Sequence, residues 1–116
     1  MIIMNEIKLK NLLGLIQRAK LLVSGNFAVH EALKFGRVKA IIITTDASVA
    51  TVAEFEKICA DRNIKIYRAL TKEILGQCLG KNSRAVAAIL DEGFMKSIEK
   101  IFVGDKNNQS SVKEQT

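Results

Sequence analysis

A Ser-Gly-Asn corner at residues 24–26 lies between a short apolar run and an amphipathic segment, and three cations, Lys34, Arg37 and Lys39, follow closely in the sequence. Glycine lets a backbone turn sharply and approach a ligand, and an asparagine beside it can cap a helix or bond the edge of a base. The first amides of a helix attract anions. The corner therefore predicts an anion-binding site at Gly25 and Asn26, although a plain N-cap explains the same residues.

The amphipathic segment after the corner predicts a helix from Asn26 to Phe35 with one apolar and one polar face. The inward face consists of Ala28, Val29, Ala32 and Leu33. The outward face consists of Phe27, His30, Glu31 and Lys34. An exposed aromatic ring near a lysine can stack on an unpaired base, or the ring of Phe27 can fold back over the preceding strand as a hydrophobic staple.

The loop GKNSR at residues 80–84 is a second candidate site. Lys81 and Arg84 supply positive charge, and Gly80 permits close approach of the backbone. Asn82 and Ser83 supply hydrogen bonds. A solvated turn is the alternative interpretation. If this loop and the corner lie at the same end of a sheet, the two weak indications of an anion-binding site become one stronger indication.

Residues for catalysis follow no familiar pattern. The sequence lacks the phosphate-loop, dinucleotide, nucleophile-elbow and zinc-protease motifs. Its acidic pairs at positions 54/56 and 91/92 are explained as a helix surface and a helix N-terminus. His30 has no nucleophile within sequence reach. The sequence therefore predicts no catalytic residue, and we expect a protein that is not an enzyme.

Cys59 and Cys78 lie 19 positions apart, and the chain has one histidine. This spacing fits neither a zinc site nor a redox motif, so no metal or cofactor is expected and both thiols are predicted to be free and at least half-buried. The N-terminus lacks the order of a signal peptide, and no apolar stretch approaches the ~20 residues of a membrane span. We therefore expect a cytoplasmic protein.

The charge of the chain is unevenly spread. The formal net charge is +6, and residues 1–45 hold seven basic and two acidic side chains, against eleven and ten in the remainder. An asymmetric basic surface suggests a polyanionic partner, nucleic acid first and an anionic membrane second. A lysine-rich surface that serves only solubility is the alternative.

Hydrophobic periodicity predicts five helices that alternate with four strands. The helices are expected near residues 5–19, 26–35, 49–59, 71–79 and 92–102, and the strands near 21–24, 38–45, 64–70 and 85–90. The predicted N-caps of the last three helices are Ser48 or Asp46, Thr71 and Asp91. This alternation predicts an α/β fold with a largely parallel central sheet and helices on both faces. Residues 1–103 form the predicted single domain. Residues 104–116 hold one valine as their only hydrophobic residue and are predicted to be a flexible tail.

Two blocks of the sequence, GLIQRAKLLVSGNFAVHEALKFGRVKAIIITTDAS and ILGQCLGKNSRAVAAILDEGF, resemble the bacterial YlxQ-type branch of the kink-turn-binding ribosomal protein superfamily, that of large-subunit proteins seven-Ae and thirty-e. The resemblance covers residues 6 to about 102. It implies a three-layer α/β/α sandwich with a central four-stranded, mostly parallel or mixed sheet. It also implies no cofactor, no catalysis, and RNA binding through the corner and the loop before the last strand.

The resemblance assigns roles at the corner residue by residue. Gly25 matches the family glycine whose amide faces the RNA backbone. Kink-turn binders continue G-x-N-E-x-x-K, whereas Phe27 and Ala28 occupy the Asn-Glu positions here and Glu31 replaces the lysine. The side chains that read sheared G·A pairs are therefore absent. Lys34, one turn beyond Glu31, is expected to supply the missing positive charge to phosphate.

Two further family positions lie after the second strand and before the fourth. Asp46 and Ala47 match the acidic-small pair after the second strand, where the acid is expected to cap a helix. The loop at residues 81–84 replaces an apolar family loop with a basic one, which favours phosphate contact.

Together these observations predict a small cytoplasmic RNA-binding protein that contacts structured RNA, ribosomal or other, mainly through backbone phosphates. No membrane partner and no cofactor are expected. A protein-interaction module in transcription or translation that kept the fold is the alternative. The predicted RNA-binding residues are Gly25, Asn26, Phe27, Ala28, Glu31, Lys34, Arg37, Lys81, Asn82, Ser83 and Arg84.

Overall fold

The computed structural model describes the backbone of residues 2–114 and the side chains of residues 5–103. Within these residues, five helices alternate with four strands in the predicted order. The helices are α1 (Ile2–Arg18), α2 (Asn26–Lys34), α3 (Val49–Arg62), α4 (Lys72–Leu79) and α5 (Glu92–Glu114). The strands are β1 (Leu22–Ser24), β2 (Ala40–Ile43), β3 (Lys65–Arg68) and β4 (Val86–Ile89).

The four strands form one mixed sheet in the order β1-β4-β2-β3. Only β2 and β3 pair in parallel, and β4 is antiparallel to both of its neighbours. The expectation of a largely parallel sheet is therefore wrong, and the mixed alternative is confirmed. The cause is the connection before β4: α4 has 8 residues, and the chain then folds back, so that the Arg84 amide donates to the Lys72 carbonyl at 3.1 Å. The chain re-enters the sheet at the end it had left.

Alternate side chains of the buried strands divide the core into two clusters, which makes the fold a three-layer α/β/α sandwich. On one face, Ala40 and Ile42 of β2 pack with buried residues of α1, α4 and α5. On the other face, Ile41 and Ile43 pack with buried residues of α2 and α3. All four of these side chains are fully buried, as a strand covered on both faces requires. The predicted α/β/α architecture is confirmed.

The pairing register defines two ends of the sheet. Ser24 pairs with Ala87, next to the pair formed by Ile43 and Val86, and we call this end the corner end. Leu22 and Ala40 both pair with Ile89 at the opposite end, which we call the far end. β1 and β2 therefore both run from the far end to the corner end.

The predicted helix caps are present. Ser48, Thr71 and Asp91 each accept a hydrogen bond from a first-turn backbone amide of the helix that follows. Asp46 caps a different helix from the one expected, because its Oδ1 accepts from the Lys72 amide at 3.0 Å. This contact ties the loop after β2 to the start of α4.

Other sequence predictions concern the thiols and the chain end. Cys59 is buried and Cys78 is half-buried, and neither forms a disulfide, as predicted. Helix α5 continues beyond residue 103, where the sequence predicts the end of the domain. The side chains beyond that residue are outside the described range, so the flexible tail stays a prediction.

Among the described residues, no helix is long and apolar enough to cross a membrane, and no cluster of acidic, histidine or cysteine side chains is placed to hold a metal ion.

Candidate nucleic-acid interface

The corner between β1 and α2 depends on glycine. Gly25 has φ 92° and ψ 152°, a conformation that residues with a side chain adopt only under strain. It is the N-cap residue of α2, and no side chain accepts a hydrogen bond there. Asn26 is the first helical residue, so the plain N-cap interpretation of Asn26 is wrong.

The start of α2 leaves backbone donors free. The first helical hydrogen bond joins the Val29 amide to the Gly25 carbonyl at 3.0 Å. Within the described part of the chain, the amides of Asn26, Phe27 and Ala28 donate to no acceptor. Unpaired amides at a helix start carry partial positive charge and bind anions.

The amide of Gly25 itself is not among these donors. It donates to the Val86 carbonyl at 2.9 Å and so extends the pairing of β1 with β4. The expectation that this amide faces RNA is therefore wrong. The role of Gly25 is to turn the backbone so that the next three amides are left free.

Arg84 brings the basic loop to the corner. Its Nε donates to Ser24 Oγ at 3.2 Å, and its guanidinium also donates to the carbonyls of Asn82 and Ser83. A Cβ built on Gly25 would meet Arg84 Cδ and Nε at 3.8 Å, so the arginine lies beside the glycine. The two candidate segments therefore lie together at one end of the sheet.

The loop is held against α4 by a second glycine. A Cβ on Gly76 would overlap the carbonyl group of Asn82, so only glycine lets the loop lie this close. The Lys81 amide donates to the Gly76 carbonyl at 2.8 Å. Gly80, with φ 68°, makes the turn that sends the chain back over the helix. The position of Arg84 therefore depends on backbone contacts of the loop.

Corner and loop together form one open groove of about 560 Å³, which we call the corner groove. Its lining residues are Ser24, Gly25, Asn26, Phe27, Ala28, Lys72, Ser83, Arg84 and Ala85. Among the described lining residues there are two cations and no carboxylate. Sequence reasoning missed Lys72, because contacts between distant segments place it beside the corner: its amide donates to Asp46 and its carbonyl accepts from the Arg84 amide.

Phe27 is 78% exposed at the start of α2, so the staple interpretation is wrong and the ring is open to a partner. Ala28 and Glu31 are half-buried, whereas Lys81 and Asn82 are exposed beside the groove without lining it. Of the predicted RNA-binding residues near the corner, Glu31, Lys81 and Asn82 therefore lie at the edge of the corner groove.

The cations that follow the corner in the sequence do not converge with it. Lys34 is the last of the nine residues of α2, which places it about 12 Å along the helix axis from Asn26. Arg37 and Lys39 come just before β2 at the far end, where the Lys39 amide donates to the Ile89 carbonyl at 2.8 Å. Lys34 and Arg37, which the sequence groups with the corner as RNA-binding residues, lie apart from it because α2 carries the chain away from the corner end.

Two titratable residues near these elements have structural partners. His30 Nε2 lies 2.8 Å from Glu54 Oε2, and its ring stacks on Phe55 with centroids 4.7 Å apart. These contacts join α2 to α3.

Desolvation by itself would raise the pKa of Asp46, but the hydrogen bond from the Lys72 amide and other hydrogen bonds lower that pKa below its ordinary value.

Comparison with known proteins places this geometry in a family. The sequence model of the Ribosomal protein L7Ae/L30e/S12e/Gadd45 family matches residues 7–99. RNA-binding protein YlxQ from Bacillus subtilis is 32% identical over 87 residues, covering 75% of this chain and 87% of the relative. RNA-binding protein YlxQ from Enterococcus faecium is 26% identical over 100 residues, covering 86% of this chain and 96% of the relative.

Solved structures agree with the fold. A protein with unknown function from Bacillus halodurans superposes with a TM-score of 0.76 at 29% identity, covering 79% of this chain and 93% of that chain. The Giardia lamblia 15.5kD RNA binding protein superposes with a TM-score of 0.72, covering 87% of this chain and 86% of that chain, and at 20% identity it supports the fold alone. The chain is a YlxQ-type member of the Ribosomal protein L7Ae/L30e/S12e/Gadd45 family.

Proposed function

We propose that this chain is a small RNA-binding protein that holds the phosphate backbone of structured RNA in the corner groove. One observation carries the proposal: the free amides of residues 26–28 belong to residues that line the same groove as Lys72 and Arg84. Free amides and cations are the groups that proteins use to contact phosphate. The relatives named as RNA-binding proteins support this assignment and a non-enzymatic role.

The groove is built to read the backbone of RNA more than its bases. Phe27 and Ala28 occupy the positions at which kink-turn binders carry Asn and Glu, and neither side chain has a polar atom to read a base edge. Phe27 instead offers a ring, 78% exposed, on which an unpaired base can stack. Lys81 and Asn82 extend the contact to phosphates beside the groove.

A kink-turn hairpin and an uninterrupted hairpin of the same length test this view of specificity. One well-made contact to a base contributes about 1–3 kcal/mol of discrimination, and Phe27 and Ala28 cannot make the base contacts of the kink-turn binders. We therefore expect the affinities for the two hairpins to lie within about tenfold of each other. A strong preference for the kink-turn, beyond about a hundredfold, would contradict backbone reading.

The proposal as a whole is tested by the retention of fragmented ribosomal RNA at increasing salt. Binding through phosphate contacts releases counterions, so retention should be strong at low salt and collapse at moderate salt. We further propose that ribosomal or other structured RNA of the cytoplasm, in the context of translation, is the natural partner. Crosslinking in cells, followed by sequencing of the bound RNA, identifies it.

A protein-interaction module is the second candidate, and one observation favours it. Phe27 and Phe35 are 78% and 70% exposed at the two ends of α2, and large exposed apolar side chains are common in protein interfaces. If the chain retains no RNA at any salt, the RNA proposal is wrong and this second candidate takes its place.

A further inference from the structure

A second groove lies between α1 and α4, on the face of the sheet opposite to α2. It encloses about 480 Å³ and is lined by Lys10, Asn11, Gly14, Arg18, Ile74, Gln77 and Cys78. Two of these side chains are cations, two are amides and none is a carboxylate. The groove therefore combines positive charge with hydrogen-bond donors.

The two cations are available to a ligand. Among the described residues, neither Lys10 nor Arg18 has a carboxylate oxygen within 4.0 Å, and neither side chain donates a hydrogen bond. Glu6 lies one turn before Lys10 on α1 and forms no ion pair with it. Two cations without an ion-pair partner attract an anion to the groove, and the Glu6 carboxylate, which acts on the Cys78 thiol beside Lys10, offsets part of that attraction.

The spacing of the cations indicates what kind of anion fits. Residues 10, 14 and 18 lie on one face of α1, four positions apart. Lys10 and Arg18 are therefore about 12 Å apart along the helix axis, too far for one inorganic phosphate to bridge. A chain of phosphates can reach both.

Gly14 lines the groove between these cations. A Cβ built there would lie 3.5 Å from Arg18 Nη1 and 3.6 Å from the Cys78 carbonyl oxygen. Both distances are ordinary van der Waals contacts, so they show that α4 and the Arg18 guanidinium lie close to α1 at this position, and a small side chain would also fit there.

Helix α4 joins the two grooves. Lys72, at its first position, lines the corner groove. Gln77 and Cys78, near its end, line the second groove, and the basic loop folds back over the helix at Gly76 between them. Lys72 and Gln77 are five positions apart, about 7.5 Å along the axis of α4, so both grooves border the same short helix and one extended RNA backbone is long enough to contact both.

We propose that the RNA backbone bound in the corner groove continues along α4 into the α1–α4 groove, where Lys10 and Arg18 contact phosphates. This inference rests on the proposed function and extends its footprint to a second face of the molecule.

A double variant tests the contact. Lys10→Ala combined with Arg18→Ala removes both cations, and Arg37→Ala combined with Lys39→Ala removes the same charge at the far end as a matched control. With fragmented ribosomal RNA as the probe, we expect the first variant to lower the salt slope of binding by about 1.4–1.8, the contribution of two phosphate contacts, and the control to leave it unchanged.

Cys78 provides an independent readout that keeps both cations in place. In a Cys59→Ala variant, the rate of Cys78 alkylation by a neutral reagent is measured with and without saturating fragmented ribosomal RNA. Burial raises the pKa of the Cys78 thiol, so the reaction is run at mildly alkaline pH. We expect RNA to slow the reaction severalfold. A thiol introduced by Ala53→Cys, exposed on α3, in a chain with Cys59→Ala and Cys78→Ala should react at the same rate with or without RNA.

The outcomes separate the two proposals. A reduced salt slope together with protection of Cys78 supports the extended footprint. RNA binding with an unchanged slope and an unprotected Cys78 overturns it and leaves the corner groove in place. If the wild-type chain binds no RNA, both proposals fail.

Discussion

The two ends of the sheet both carry basic side chains, but they differ in how those side chains are arranged. At the corner end, Lys72 and Arg84 line a groove together with free backbone amides. At the far end, Lys34, Arg37 and Lys39 are exposed around a turn. Positive charge is thus common to both ends, whereas convergence of charge with unpaired donors occurs at the corner end. A candidate phosphate site needs positive side chains and unpaired backbone donors in the same place.

Glycines show the same contrast. Gly25 has φ 92° and lies against Arg84, whereas Gly36 has φ 69° with no atom within 4 Å of a built Cβ. Both residues turn the chain at an end of α2. Only at Gly25 would an added side chain enter a groove.

The largest expected effect comes from Gly25→Val compared with Gly36→Val. Both substitutions force a branched side chain into positive φ, so each should lower the free energy of unfolding by about 1–3 kcal/mol. Only Gly25→Val should also lower RNA affinity by more than about tenfold, because its methyl groups would occupy the space beside Arg84 and the free amides. Thermal unfolding and RNA titration of both variants measure the two effects. If Gly25→Val and Gly36→Val lost the same RNA affinity, the corner end would be no more important for RNA binding than the far end.

The next largest effect is expected for Gly76→Ala. Its Cβ would overlap the Asn82 carbonyl, so the loop must move and take Arg84 with it. We expect destabilisation of about 1–3 kcal/mol together with weakened RNA binding. Gly80→Ala is the control in the same loop, because nothing lies within 4 Å of its Cβ although its φ is 68°. That variant should lose stability with little change in affinity, and RNA binding that survives Gly76→Ala would show that the loop position is unimportant.

A smaller effect is expected for the exposed aromatic rings. Phe27→Ala should weaken binding of an RNA with unpaired bases by about 1–3 kcal/mol, the contribution of one stacked base, without loss of stability. Phe35→Ala removes a similarly exposed ring at the far end of α2 and should leave RNA binding unchanged. Fluorescence anisotropy with a labelled hairpin compares the two. No loss for Phe27→Ala would mean that its ring does not stack.

Local sequence patterns predicted most of the fold. Periodicity gave the order of the elements, and the Ser, Thr and Asp residues before the helices marked Ser48, Thr71 and Asp91 as caps because capping depends only on neighbours in the chain. The parallel sheet was predicted wrongly, since the direction of β4 depends on how α4 and its loop fold back, which is a tertiary property.

The candidate site was predicted in part for the same reason. The corner and Arg84 were identified from their residue types, and their convergence required only that two loops share one sheet end. Lys72 was missed because the sequence around it reads as an ordinary helix start. Arg37 was wrongly grouped with the corner, since closeness in sequence is lost along the length of α2.

The salt dependence of RNA binding by Arg84→Ala and Arg37→Ala is the sharpest test of whether RNA binds in the corner groove. Each variant loses one arginine, at the corner end and at the far end respectively. We expect Arg84→Ala to lower the magnitude of the slope of log affinity against log salt by about 0.7–0.9, and Arg37→Ala to leave that slope unchanged. An unchanged slope for Arg84→Ala, with a reduced slope for Arg37→Ala, would contradict the assignment of the corner groove as the RNA-binding site.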